Sequence, residues 1–146
     1  MGREVRRVPQ NWQHPKDDRG RYKPLYGRSY AIDAEEFMEK VKSEGLQEAI
    51  DWFGKAPDQN DYMPDWPAEE RTRYMMYEDT SEGTPISPAF ETPEELAKWL
   101  TETGASAFGN STATYDGWLR VAKGGFACSA VVQGGVMVNG VDGLSR

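Results

Sequence analysis

Residues 77–103 read YEDTSEGTPISPAFETPEELAKWLTET. The second half of this stretch is a helix start. Thr92 can cap the exposed amides, Pro93 at the first helical position gives up no hydrogen bond, and Glu95 can reach back to the cap. Leu96, Trp99 and Leu100 then recur at i, i+3 and i+4, so one face is apolar. Phe90 before the cap adds an apolar contact there, and Gly104 supplies a stop. The first half is a loop of hydroxyls and carboxylates broken by Gly83, Pro85 and Pro88. It ends a segment, residues 73–79 (RYMMYED), that suits a strand with Tyr74 and Met76 on one face and Met75 and Tyr77 on the other. A helix is the competing reading of those seven residues.

Downstream, residues 114–123 read as a short helix with Tyr115, Trp118, Leu119 and Ala122 inward and Gly124 after it. Residues 128–141, CSAVVQGGVMVNGV, hold two β-branched runs separated by Gly134 and Gly135, a hairpin signal because both turn residues accept positive φ. Val131 would face Val138, Val132 would face Met137, and the hairpin is expected to join the strand near residue 75. Upstream, Asp33 followed by Glu36 resembles a capping box. The stripe Phe37, Val41, Leu46, Ile50 and Phe53 follows, divided by Gly45 and ended by Gly54 and Pro57. Tyr62 and Trp66 anchor the next loop, and Pro67 opens a short helical piece.

In residues 1–30, Val5 and Val8 fit a short strand ended by Pro9, while Pro15, Gly20, Pro24 and Gly27 impose turns. Trp12, Tyr22, Tyr26 and Tyr30 follow neither helical nor strand spacing. The expected architecture is therefore α+β. A small antiparallel sheet, including the C-terminal Gly-Gly hairpin, carries two to four short helices on one face. Residues 1–30 are expected to be an extended basic and aromatic arm, and residues 31–146 a single domain.

The chain has 146 residues, a hydrophobic fraction of 38% and a mean hydropathy of −0.76, which implies a small core. Five Trp, seven Tyr and five Phe argue against disorder. Cys128 is the only cysteine and His14 the only histidine, so an internal disulfide, a cysteine-rich zinc site and a two-histidine metal site are excluded. No apolar run approaches the roughly 20 residues of a membrane span, and no signal peptide is visible. The expected location is the cytoplasm, with no membrane association. Residues 1–30 hold eight basic side chains against three acidic, and residues 31–102 hold six against nineteen. That polarity suits a cationic partner on one side and an anion on the other, or simply attraction between the two segments. The acidic balance and the lack of a recognition-helix motif speak against duplex nucleic acid.

Two segments could bind. Arg6, Arg7, Arg21 and Arg28 beside Trp12, Tyr22 and Tyr26 could combine anion attraction with stacking on a base, or could neutralise the acidic helices while the aromatics anchor the arm. In the loop, Tyr77, Glu78, Thr80, Ser81, Glu82, Gly83, Thr84 and Ser87 offer hydroxyls, carboxylates and a close backbone approach. Such a loop would repel phosphate but accept hydrogen bonds from sugar hydroxyls, base amines or arginines. Equally, its hydroxyls could satisfy its own backbone. No catalytic set, metal site or cofactor is expected. His14 has no nucleophile partnered with it, and the adjacent pairs Glu69-Glu70 and Glu94-Glu95 point in different directions on a helix. Cys128 has no cationic neighbour to activate it, and the Walker and dinucleotide patterns are absent.

The strings MGREVRRVP at the start, WQHP after it, YEDTSEGTPISP in the middle and TPEEL beyond it resemble a family of small proteins from tailed bacteriophages and prophages. The resemblance covers nearly the whole length, and SEGTPISP is its most specific part. It carries no catalytic residues with it. It implies a phage source, action in the cytoplasm of the infected bacterium, and a non-enzymatic accessory role counteracting host antiviral defence, as an anti-CRISPR does. The expected partner is a host defence protein. The rival expectation is a nucleotide-like small molecule, sequestered as an immune signal by the arm arginines, Trp12 or a tyrosine, Ser81, Glu82 and Thr84. A hydrolase using carboxylates around residues 78–82 is the third.

Overall fold

The computed structural model describes residues 2–78, 83–108, 111–124, 126–128, 130–133, 136–139 and 141. In chain order the elements are β1 (Gly2–Val8), α1 (Tyr30–Glu44), α2 (Leu46–Phe53), β2 (Arg73–Glu78), β3 (Thr84–Pro85), α3 (Pro93–Glu102), β4 (Ser106–Phe108), β5 (Ser111–Thr112), α4 (Tyr115–Ala122), β6 (Phe126–Cys128), β7 (Ala130–Gln133) and β8 (Val136–Asn139). The fold is α+β. It divides into two compact units, Met1–Pro24 with Trp66–Arg146, and Leu25–Asp65.

In the first unit a four-stranded antiparallel sheet runs in the order β3-β2-β1-β6. The N-terminal residues expected as an arm are thus, over Gly2–Val8, an interior strand. Residues 73–78 are a strand and not a helix. Arg3, Val5 and Arg7 lie opposite Glu78, Met76 and Tyr74, so these six share one face, and Glu4, Arg6 and Val8 share the other with Tyr77, Met75 and Arg73.

Val5, Tyr74 and Met76 meet α3 and α4 through Leu96, Ala97, Leu100, Trp118, Val121 and Ala122. Each large apolar side chain buried here contributes about 1.5–3 kcal/mol relative to exposure. Thr92 caps α3 as its sequence predicts: its hydroxyl oxygen accepts from Glu95 N–H at 3.1 Å and its O–H donates to the Glu95 carboxylate at 3.2 Å. Thr114 caps α4 by accepting from Gly117 N–H at 3.1 Å. In α4, Trp118 and Ala122 are buried as expected, but Tyr115 is exposed and Val121 takes its place inside.

The hairpin β7–β8 pairs Val131 with Val138 and Val132 with Met137, the predicted register. It forms a two-stranded sheet of its own and does not join residue 75. The place beside β2 is taken by β1, which matches it over six residue pairs, and by β3. The turn residues Gly134 and Gly135 lie outside the described residues.

The Leu25–Asp65 unit is a helical hairpin. Helix α1 begins earlier than Asp33, because Ser29 is the cap and accepts from Ile32 N–H at 3.3 Å. Gly45, at φ 96°, separates α1 from α2 in a conformation that residues with a side chain rarely adopt. Phe37 packs on Phe53 with ring centres 5.9 Å apart. The ends of the unit are tied by backbone bonds from Tyr26 N–H to Asp61 O (2.8 Å) and from Met63 N–H to Tyr26 O (3.0 Å).

Candidate functional site

The sheet face opposite α3 and α4 carries an aromatic cluster built by chain that has no regular structure. Residues 15–23 turn back on themselves: Asp17 N–H donates to Arg21 O (2.7 Å), Lys23 N–H donates to Pro15 O (2.9 Å), and Asp17 Oδ1 accepts from Arg19 and Arg21 N–H. Those backbone contacts hold the Asp17 carboxyl below its usual value, with a further contribution from the Arg21 guanidinium. The turn presents the Lys23 carbonyl to His14, which is only 6% exposed. A carbonyl can only accept, so Nε2 of His14 donates to it (2.5 Å), Nδ1 of the neutral ring is an acceptor, and the Tyr77 hydroxyl donates to Nδ1 across 2.9 Å. Trp12 Nε1–H in turn donates to the Tyr77 oxygen at 3.1 Å.

Around this chain of bonds, Tyr22 sets its ring edge-on to His14 at 5.7 Å and Trp12 does so at 5.9 Å, while Trp66 packs on Trp12 at 4.8 Å. The Arg6 guanidinium lies 4.4 Å over the Tyr77 ring. Burial lowers the His14 pKa, outweighing the Lys23 hydrogen bond, and Arg6 lowers it further. Burial also raises the Tyr77 hydroxyl to about 12, against the opposing effects of Trp12 and Arg6. Every hydrogen-bonding position of the imidazole is used. The arrangement locks residues 12–23 onto the sheet.

Four residues expected to bind a ligand, Arg6, Trp12, Tyr22 and Tyr77, therefore do come together, but on one another. Arg7 sits on the other sheet face with its guanidinium 3.8 Å over Tyr74. Ser87 is also engaged internally: its buried hydroxyl accepts from Met76 N–H (2.9 Å) and donates to Pro88 O (2.8 Å), standing in for a strand partner. Gly83, at φ 104°, donates its N–H to Glu78 O at 3.2 Å, and Thr84 pairs with Glu78 across the β2–β3 ladder. Thr80, Ser81 and Glu82 lie outside the described residues.

Two clefts remain. One of about 490 Å³ is lined by Arg3, Glu78, Ile86, Trp99, Thr103, Ala105 and Ser106. In it the largely buried Arg3 guanidinium donates from Nε to Ser106 O at 2.9 Å and stands 4.0 Å from the Glu78 carboxylate.

The other, about 280 Å³, lies within the Leu25–Asp65 unit and is lined by Tyr26, Arg28, Asp33, Glu36, Phe53, Lys55, Pro57, Asp58, Asp61 and Tyr62. Arg28 Nε–H and the Tyr62 O–H both donate to Asp33 Oδ2 at 2.6 Å, and the Arg28 guanidinium lies 4.1 Å over Tyr26. Burial and the bond to Asp33 raise the Tyr62 hydroxyl to about 12. Burial alone would raise the Asp33 carboxyl, but the Tyr62 hydroxyl and Arg28 outweigh it and leave the group below its usual value. Lys55 pairs with Asp61 at 3.0 Å. Of the residues expected to bind, Tyr26 and Arg28 are found here, with Arg28 engaged by Asp33.

Among the described residues, this unit also holds most of the exposed large apolar side chains: Trp52 (72% exposed), Leu46 (57%) and Phe53 (42%) on α2, with Ile32 (59%) and Met38 (49%) on α1. The stripe that includes Leu46 and Phe53 was legible in the sequence as a helix face. Its exposure was not, because spacing does not reveal how much of an apolar arc a neighbour covers.

Among the described residues, no group of three His, Cys, Asp or Glu side chains is placed to hold a metal ion, and no helix is long and apolar enough to cross a membrane. Compared with protein-family models, curated proteins and solved structures, the chain shows no match.

Proposed function

We propose that this is a non-enzymatic phage accessory protein that binds a host protein and so blunts antiviral defence. The phage-like strings supply the setting. The observation that carries the binding role is the set of exposed apolar side chains on α2, Trp52, Leu46 and Phe53, in a unit rich in carboxylates. Large exposed aromatic groups are the anchors that protein interfaces favour. The test is plaque formation on bacteria carrying individual defence systems, with and without the protein supplied in trans, joined to affinity capture from those cells. Rescue of plating together with a retained component of the same defence system is the expected result. Neither rescue nor retention on any strain would sink the reading.

A second reading, sequestration of a nucleotide-derived immune signal, is favoured by the 490 Å³ cleft, where a cation (Arg3), an aromatic ring (Trp99) and hydrogen-bonding groups (Glu78, Thr103, Ser106) adjoin. It predicts a rise in melting temperature with one or more cyclic or ADP-ribose-derived nucleotides. A flat response across such a panel removes it.

A further inference from the structure

We infer that the Leu25–Asp65 unit docks a cationic segment of a protein, with one arginine side chain entering the cleft beside Glu36 and Asp58 and neighbouring apolar residues of the segment lying on the exposed Leu46 and Trp52. This rests on the protein-binding reading above and names the chemistry of the partner.

Charge selects the occupant. The unit has ten carboxylates against four cations, so it holds nearly all of the chain's net charge of −7. Inside the cleft the two cations are already matched, Arg28 by Asp33 and Lys55 by Asp61. Glu36 and Asp58 line the same cleft and add two carboxylates to Asp33 and Asp61, so four face two cations; Asp58 also feels the Lys55 ammonium and accepts from Asn60 N–H at 3.0 Å. A phosphate, a nucleic acid or an anionic lipid surface would be repelled there, whereas a guanidinium supplies the missing charge.

Size and geometry agree. The cleft's 280 Å³ falls just below the usual range of small-molecule pockets, roughly 300–1,000 Å³, and suits a single long side chain. Arg28 shows how the lining holds a guanidinium: over a tyrosine ring at 4.1 Å, with a carboxylate at 2.6 Å from Nε. Phe53 and Glu36 offer a second ring and a second carboxylate.

Helix α2 supplies both the cleft wall and exposed apolar groups. Phe53 lines the cleft, and Trp52 and Leu46 lie on the same helix. The apolar arc of α2 is wider than the part covered, with Ala49 buried while Leu46 and Trp52 stand out. Lys40 holds the Trp52 ring from one side, 4.6 Å from its centre, which limits the ordering cost when a partner covers it.

The test titrates the full chain, labelled with ¹⁵N, with a capped nonapeptide of eight arginines around one leucine, and with its glutamate counterpart. Saturable shifts confined to residues 25–65, including the indole N–H of Trp52, and no response to the glutamate peptide are expected. Glu36→Gln with Asp58→Asn should weaken binding about tenfold without lowering the melting temperature. Glu35→Gln with Glu39→Gln removes the same charge from exposed α1 positions outside the cleft and should change affinity less than about twofold.

Equal weakening by the two double variants would reduce the effect to net charge and overturn the inference. So would shifts outside residues 25–65, no saturable binding, or a dimer in solution that Trp52→Ala dissolves. A host partner retained equally by wild type and by the Glu36/Asp58 variant, with plating still rescued, sinks this inference and leaves the proposed function standing. No retention and no rescue by the wild type sinks the proposed function itself, and with it the claim that a host protein fills this cleft.

Discussion

The Tyr77 hydroxyl donates to His14 Nδ1 across 2.9 Å, and this contact joins β2 to the turn-rich segment that covers it. The same oxygen accepts from Trp12, so one phenol serves two partners that lie more than 60 residues away in the chain.

Tyr77→Phe removes both bonds at once. It leaves the His14 ring nitrogen and the Trp12 N–H without their partner in a site where water is scarce. A loss of about 1–3 kcal/mol in unfolding free energy is expected, measured by urea denaturation. His14→Ala and Tyr77→Phe together should cost less than the sum of the two single changes, because they remove a shared contact. Strict additivity would mean that the pair is not coupled.

The same site makes stability depend on pH. His14 has a pKa below its ordinary 6.5 when folded, so between the two values the unfolded chain binds more protons than the folded one. Stability is therefore full above about pH 6.5 and falls as the pH drops toward the folded value. Protonation would also turn Nδ1 into a donor facing the Tyr77 hydroxyl, beside Arg6. The urea midpoint should fall between about pH 7.5 and about pH 5.5 in the wild type and fall less in His14→Asn. Asp17 and Asp33, whose folded values lie below the ordinary 3.8, lose their contribution only at lower pH, so the windows separate.

Ser87→Ala tests whether this hydroxyl is structural. The change strands the Met76 N–H at the centre of the sheet, with an expected cost of about 1–3 kcal/mol. A neutral result would return Ser87 to the set of ligand-binding candidates.

Trp52→Ala should separate binding from folding. The side chain is 72% exposed, so stability should change by no more than about 0.5 kcal/mol, while affinity for a cationic peptide falls. A large drop in melting temperature would show that Trp52 belongs to the interior of the folded unit.

What the sequence disclosed was local. Thr92, Pro93 and Glu95 announce α3 because a cap is a matter of three neighbouring residues, and the register of β7–β8 follows from its spacing alone. The start of α1 was misplaced because Asp33 looks like a cap until Arg28 and Tyr62 are seen to occupy it. The expected site was half legible for a related reason. Trp12, Tyr22 and Arg6 read as one candidate and Tyr77 as part of another, and that they satisfy one another depends on a turn at residues 15–23 folding back over a strand from the middle of the chain. Helical spacing likewise marks Leu46 and Phe53 as apolar positions and says nothing about which of them a neighbouring helix will leave bare.

The interior position of β1 bears on how the chain acquires its shape. Arg3 pairs with Glu78 on one side and with Ala127 on the other, so synthesis must pass both before the strand has its two neighbours. Until then Gly2–Val8 leaves the ribosome early and waits with open edges, a template for mispairing. Folding dominated by such distant pairings is slow, on the order of milliseconds to seconds. The three cations and one carboxylate among those seven residues, Arg3, Arg6, Arg7 and Glu4, are a safeguard during that wait, since their net positive charge keeps two nascent copies from zipping together.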